Sequence, residues 1–306
     1  MKRVKNILQF LVLSFLLASC QKEEINPTDA ENINGLGGDT WAKGPIDNWI
    51  YDTLTIPYNI SVKYKWDQFE DLADITSILV PPKEEIVIPI LSAVRKVWIS
   101  PYIAEAGEPF FRKTSPKFFY MIGSPAYTQN GALKLGVAEG GRKIILLATN
   151  WSKIKGMPGY SPADSFWIRQ MFITIHHEFA HILHQTILYP QDFKNLNPSL
   201  LTSNWTDYTD EQALRDGFIT AYAMDNSDED FVETISHLLV GGKAAFEAQL
   251  ASIPDGITDR GTTREQAIAR LRSKESIVVT YYKQVWGIDF YKLQSRVRAA
   301  VLSMIY

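Results

Sequence analysis

Between Ser165 and Leu188 the chain reads SFWIRQMFITIHHEFAHILHQTIL, and no other stretch limits its possible folds as strongly. Trp167, Met171, Phe172, Ile175, Phe179 and Ile182 recur at intervals of three and four, which predicts a long amphipathic helix. His177, Glu178 and His181 fall deep inside that apolar pattern. Burying such groups unpaired is expensive, so the fold has to bring them partners. His177 and His181 stand one turn apart on a common face, the geometry in which two imidazoles reach one ion. The pattern is H-E-x-x-H. Zinc takes neutral imidazole nitrogens at about 2 Å, and a glutamate beside the first histidine can reach the water in the remaining position.

The two neighbouring histidines are expected to serve differently. His176 lies about 100° around the helix from His177 and cannot share the ion, so it reads as a flanking or packing residue. His184 returns to the His177 face at i+7, but about 10 Å farther along the axis. It is expected to support the site or to pack. A metzincin would need glycine there and a ligand three residues later, where Ile187 stands.

A further ligand must come from another element. The best candidate is YAMDNSDEDFVETISHLL, residues 222–239. Phe231, Ile235, Leu238 and Leu239 give it an apolar stripe, while Glu229 and Glu233 share another face at i, i+4. One carboxylate can bind the ion while the other accepts a hydrogen bond from the free ring nitrogen of a ligating histidine, fixing its tautomer.

This arrangement resembles the gluzincin metallopeptidases, whose third ligand is the first glutamate of an E-x-x-x-D/E helix. It is similar in particular to the protease domain of anthrax toxin lethal factor, where a tyrosine precedes that glutamate by seven residues, as Tyr222 precedes Glu229 here. The resemblance implies zinc on His177, His181 and Glu229, with Glu178 as general base, Tyr222 as oxyanion donor and Glu233 behind a ligand histidine. From about residue 57 to 250 the chain also resembles a set of zinc-binding lipoproteins encoded beside outer-membrane nutrient importers. The carriers of that resemblance are LVPPKEE, AEGGRKI, HHEFAHILHQ, GFITAYA and DEDFVE.

The rest of the chain supplies a scaffold. NISVKYKW alternates Ile60, Val62, Tyr64 and Trp66 with polar residues, the period of a half-buried strand. PPKEEIVIPILSAVRKVWIS opens with prolines and acids and carries apolar residues at helical spacing, so it reads as a helix despite Pro89. KFFYMIG, ALKLGVA and KIILLAT are three short β-rich runs. GVAEGGRK lacks the Lys-Ser/Thr of a phosphate loop and reads as a hairpin turn. From Asp164 onward the pattern is mainly helical, with capping-box spacings at Thr209–Gln212 and Thr262–Glu265. Strands first and helices after predict an α+β domain over residues 46–306, zincin-like by the resemblance.

Ahead of that domain, residues 1–20 read as a leader. Lys2, Arg3 and Lys5 precede an apolar run from Ile7 to Leu17 that is short for a membrane span. Leu17-Ala18-Ser19-Cys20 resembles a bacterial lipobox, which makes Cys20 the expected lipid anchor. Cys20 is the only cysteine, so an internal disulfide and a cysteine-ligated zinc are both excluded. Residues 21–45 are polar and read as a flexible tether. The start CQKEE is similar to the acidic export tag of surface lipoproteins, which implies an outer-membrane location facing the cell surface.

Loss of the leader takes the formal net charge from −3 to −6. With no Lys/Arg run left, nucleic acid is not an expected partner. The expected activity is zinc-dependent hydrolysis of peptide bonds, with a peptide or protein substrate and an outer-membrane importer complex as partners. A strand beside the active helix, KIILLAT or ALKLGVA, is expected to pair with an extended substrate. The rival readings are a non-catalytic peptide- or glycan-binding lipoprotein with a structural zinc, and hydrolysis of a non-peptide amide or ester.

Overall fold

Residues 42–65, 78–128, 131–139 and 142–306 are described by the computed structural model. The leader, Cys20 and residues 21–41 of the expected tether therefore lie outside the described residues, as does Trp66. Helix α1 begins at Pro45 (Pro45–Ile50) and runs on through a π-helical turn, Tyr51–Thr55, to Tyr58. The alternating stretch after Asn59 makes a three-residue strand, β1 (Ser61–Lys63), flanked by the buried Ile60 and Tyr64.

The proline-led helix forms as α2 (Glu84–Val94) and continues through a π segment, Arg95–Ile99, to Ala106. Pro89 lies inside it without ending it. This helix is long and apolar enough to cross a membrane, but its apolar residues are used in the core. Trp98 meets Phe111 of α3 (Glu108–Thr114) at 5.2 Å, edge to face, and Phe179 at 5.3 Å.

KFFYMIG becomes β2 (Phe118–Met121). The next strand, β3 (Ala126–Tyr127), lies outside all three β-rich runs and pairs with β4 (Leu133–Lys134), which with β5 (Gly136–Glu139) comes from ALKLGVA. KIILLAT becomes β6 (Lys143–Leu146). The main sheet has the order β1-β2-β6-β5, with the first three strands parallel and β5 antiparallel to β6. The pairing of β5 with β6 is the hairpin expected around GVAEGGRK. KIILLAT, however, is β6 and is paired on both sides, so it has no edge to offer a substrate. Of the two expected strands only β5, from ALKLGVA, keeps an unpaired edge among the described residues.

Phe119, Met121, Ile144 and Leu146 are buried, and the β5–β6 side of the sheet packs against α4 (Ser165–Thr186), the helix expected over 165–188. Ile168, Met171, Phe172, Ile175, Phe179 and Ile182 are buried along it. Trp167 is not among them; it stays partly exposed, stacked edge-on against Trp151 at 4.6 Å. On its other side α4 packs against α6 (Ser227–Ser252), whose stripe of Phe231, Ile235, Leu238 and Leu239 is buried.

The short α5 (Asp210–Arg215) carries the expected capping box of Thr209 and Gln212. At α7 (Arg264–Trp286) the box is Thr263 with Gln266, one residue later than expected. Thr262 is occupied elsewhere: its N–H donates to Thr258 Oγ1, and its hydroxyl accepts from Arg270 Nη1 at 3.0 Å. Gly242, with φ +75°, breaks the helical path inside α6. Arg298 of α8 (Phe290–Ile305) lies over it and donates to the Val240 carbonyl at 3.0 Å, a partner that the interrupted helix cannot supply. The result is the expected α+β architecture, with the sheet and its first helices in the first half and a mainly helical second half.

Candidate metal centre

Helix α4 presents His177 and His181 one turn apart, and the first turn of α6 brings Glu229 to face them. His177 Nε2 lies 3.2 Å from His181 Nε2 and 3.1 Å from Glu229 Oε2, and His181 Nε2 lies 3.3 Å from the same oxygen. Ligand atoms about 2.0–2.1 Å from a tetrahedral zinc lie roughly 3.3–3.4 Å from one another. Two imidazole nitrogens and one carboxylate oxygen, each turned toward the other two at these separations, fit that donor set. Asn226 holds the first turn of α6 in place, its Oδ1 accepting from Asp228 N at 2.9 Å and Glu229 N at 3.0 Å.

Each histidine is held from behind. His177 Nδ1 donates to Glu233 Oε1 at 2.8 Å, which leaves Nε2 as the ring atom available to a metal. The other Glu233 oxygen accepts from Thr220 Oγ1 at 2.7 Å, and His237 Nε2 is 3.5 Å from it. Burial alone would raise the Glu233 carboxyl, but hydrogen bonds from His177 and His237 hold it well below the usual range. Burial likewise works against the two imidazoles that bring Glu229 down to about 2. For His177 burial favours the neutral ring, yet Glu229 and Glu233 together raise its pKa well above the ordinary value. A metal ion would take the place of the Nε2 proton.

Behind His181 stands His184, its Nε2 3.0 Å from His181 Nδ1. It does not reach the triad. Burial, then the neighbouring His181, pushes His184 down to about 4, so the ring is neutral at ordinary pH. His176 is fully buried beside Tyr102 with ring centroids 5.9 Å apart, and burial pushes it down to about 3. It is a packing residue.

The triad opens onto a cleft of about 670 Å3. Glu178 lines it next to His177, and Tyr222 lies across from them, its ring stacked on His177 at 5.9 Å and 22°. Burial and the adjacent Glu229 carboxylate, which accepts its hydrogen bond, push the Tyr222 hydroxyl far above its ordinary value, so it remains a donor. Trp205 meets the Tyr222 ring at 5.0 Å. Asp210, Leu133, Phe166 and Trp167 also line the cleft, with Leu133 42% and Phe166 55% exposed.

Several of these residues escaped sequence reasoning. Thr220 sits in GFITAYA, but nothing local couples it to Glu233. His237 lies four residues after Glu233 on the same helix face, a spacing that would have revealed it. Gly136 matters through what it lacks: a Cβ there would meet Thr174 Cγ2 at 2.2 Å and Glu178 Oε1 at 3.1 Å. Only glycine lets β5 run this close to α4 and to the Glu178 carboxylate.

A family model described as "Putative zinc-binding metallo-peptidase" matches residues 39–291. A solved structure with the same description, from Bacteroides caccae ATCC 43185, is similar at a TM-score of 0.66 and 27% identity, covering 85% of this chain and 95% of that one. No curated protein sequence matches the chain.

Proposed function

Because the chain belongs to the zinc-binding metallo-peptidase family matched over residues 39–291, we propose that it hydrolyses peptide bonds at the centre formed by His177, His181 and Glu229. The observation that carries this reading is the meeting of three ligand atoms within 3.1–3.3 Å of one another at the wall of an open cleft, with Glu178 beside them. When bound, zinc supplies Lewis acidity, polarising a carbonyl and bringing a water's pKa to about 7.

The chain's own residues supply the rest. Glu178 accepts the proton of the attacking water and returns it to the leaving amine. The Tyr222 hydroxyl, kept protonated beside Glu229, donates to the oxyanion that develops on the substrate carbonyl. Glu233 holds His177 in the tautomer that points its lone pair into the site, and Thr220 and His237 hold Glu233. The open edge of β5 offers backbone groups to an extended peptide, and Gly136 brings that edge beside Glu178. Leu133, Phe166 and Trp167 give the cleft an apolar wall suited to a bulky apolar side chain of that peptide.

A purely structural zinc normally has four protein ligands. Three ligands opening on a cleft support catalysis instead. The test is metal analysis of the purified protein together with cleavage of a diverse peptide library. A zinc-loaded protein that cleaves no peptide would overturn the peptidase reading, and a protein without metal would overturn the centre itself.

The proposal extends to the cell. With Cys20 as lipid anchor, the residues from Gln21 to Lys43, ahead of the capped start of α1, as tether and the acidic start after Cys20, the enzyme works on the outer membrane, facing the surface and serving a nutrient importer. The support is Leu17-Ala18-Ser19-Cys20 and the resemblance to lipoproteins encoded beside such importers.

A further inference from the structure

Lys274, midway along α7, is fully buried although none of its atoms lines the cleft. Its ammonium lies 2.5 Å from Asp230 Oδ2, donates to the Gly217 carbonyl at 2.7 Å and sits 4.2 Å from the centre of the Phe218 ring. Asp230 follows Glu229 directly and is itself buried; its Oδ1 has no hydrogen-bond partner among the described residues. Gly217 begins the segment that leads to Thr220 and Tyr222. It takes φ +87° with the Arg270 side chain of α7 pressed against it. One buried cation thus joins the first turn of α6, which carries Glu229, to the segment that supplies Thr220 and Tyr222.

Stability is a poor reason for such a pair. Desolvating two charges commonly costs more than their attraction returns, and well-packed apolar residues of similar volume are often as stable. Burial pushes the Asp230 carboxyl up to about 6 and pulls the Lys274 ammonium below its ordinary value, although each charge counteracts the shift of the other. What an apolar pair could not do is accept a direction from one segment and pass it to the other. A cation with two oxygen partners fixes the distance and angle between them; apolar packing lets them slide.

We propose that Lys274 is a positioning residue for the metal centre. By fastening the Gly217–Tyr222 segment to the start of α6, it sets the directions from which Glu229, Glu233 with its Thr220 partner, and Tyr222 approach His177. The inference rests on the metal-centre reading above.

The test compares the wild-type chain with Lys274→Met/Asp230→Leu, which removes both charges and keeps the volume. Leu54→Ala, a buried change in α1, serves as a control for general destabilisation. Each protein is titrated with Zn2+ against a chelator, and the visible spectrum of its Co2+ form reports ligand geometry. The double variant is expected to fold, to bind zinc about 10-fold more weakly or worse, and to show an altered cobalt spectrum. The control should lose stability while keeping both metal readouts. A folded double variant with wild-type zinc affinity and an unchanged cobalt spectrum overturns the role of Lys274. If the double variant does not fold, Lys274→Gln, which keeps a donor for Gly217, carries the same measurement with the same two outcomes. A wild-type protein that takes up neither ion overturns the metal centre and this inference with it, a result distinct from an unchanged variant.

Discussion

His181 Nδ1 meets His184 Nε2 at 3.0 Å, so one ligand histidine rests on an imidazole while the other, His177, rests on the carboxylate of Glu233. For His181 to offer Nε2 to a metal, its Nδ1–H must donate to His184. His184 then carries its own proton on Nδ1, which is buried with no partner among the described residues. The two supports therefore differ in strength: a carboxylate makes its histidine a stronger donor to the ion than a neutral ring does. His184→Leu is expected to weaken zinc binding by about 10-fold, and Glu233→Ala by up to about 100-fold, in a chelator competition. Equal losses would show that the charge on Glu233 is not what distinguishes them.

Glu178→Gln should keep zinc and fold but lose roughly 10²–10⁴-fold in peptide cleavage, because an amide cannot take the proton of water. Glu229→Ala should lose both zinc and activity. Zinc content and turnover measured on the same preparations separate the two roles. An unchanged cleavage rate in Glu178→Gln would remove it as the base.

Gly136→Ala is expected to destabilise the protein by about 1–3 kcal/mol through overpacking, since the new Cβ would stand 2.2 Å from Thr174 Cγ2. Thr174→Ser removes that methyl and keeps the hydroxyl that donates to the Gln170 carbonyl. The double variant Gly136→Ala/Thr174→Ser should regain most of the loss in thermal unfolding. Failure to recover would mean that the backbone, not the methyl, sets the limit.

The apolar cleft wall predicts a substrate preference. Phe166→Ser should lower kcat/KM by about 10-fold for peptides with a bulky apolar residue near the cleaved bond, and much less for peptides with small residues there. A uniform fall across both sets would place Phe166 outside the substrate's reach.

Cys20→Ala should move the protein from the membrane fraction to the soluble one without changing its unfolding temperature. Retention in membranes would point to another attachment.

Helical periodicity is a local property, and it made α4 legible together with the shared face of His177 and His181. The α6 stripe of Phe231, Ile235, Leu238 and Leu239 was legible for the same reason. Periodicity alone left Glu229 and Glu233 equivalent, because both occupy one face of one helix. Only the angle at which α6 meets α4 decides that Glu229 Oε2 faces the two Nε2 atoms while Glu233 Oε1 faces Nδ1 of His177. Strand order was likewise beyond reach: β5 and β6 read alike in sequence, and only their pairing left β5 at the edge. Gly136 and Lys274 carry no pattern at all, since the atoms that give them meaning, Thr174 Cγ2 and Asp230 Oδ2, are 38 and 44 residues away. Which residues share a face is set by the chain within a few turns; which faces meet is set by burial and by contacts between distant segments.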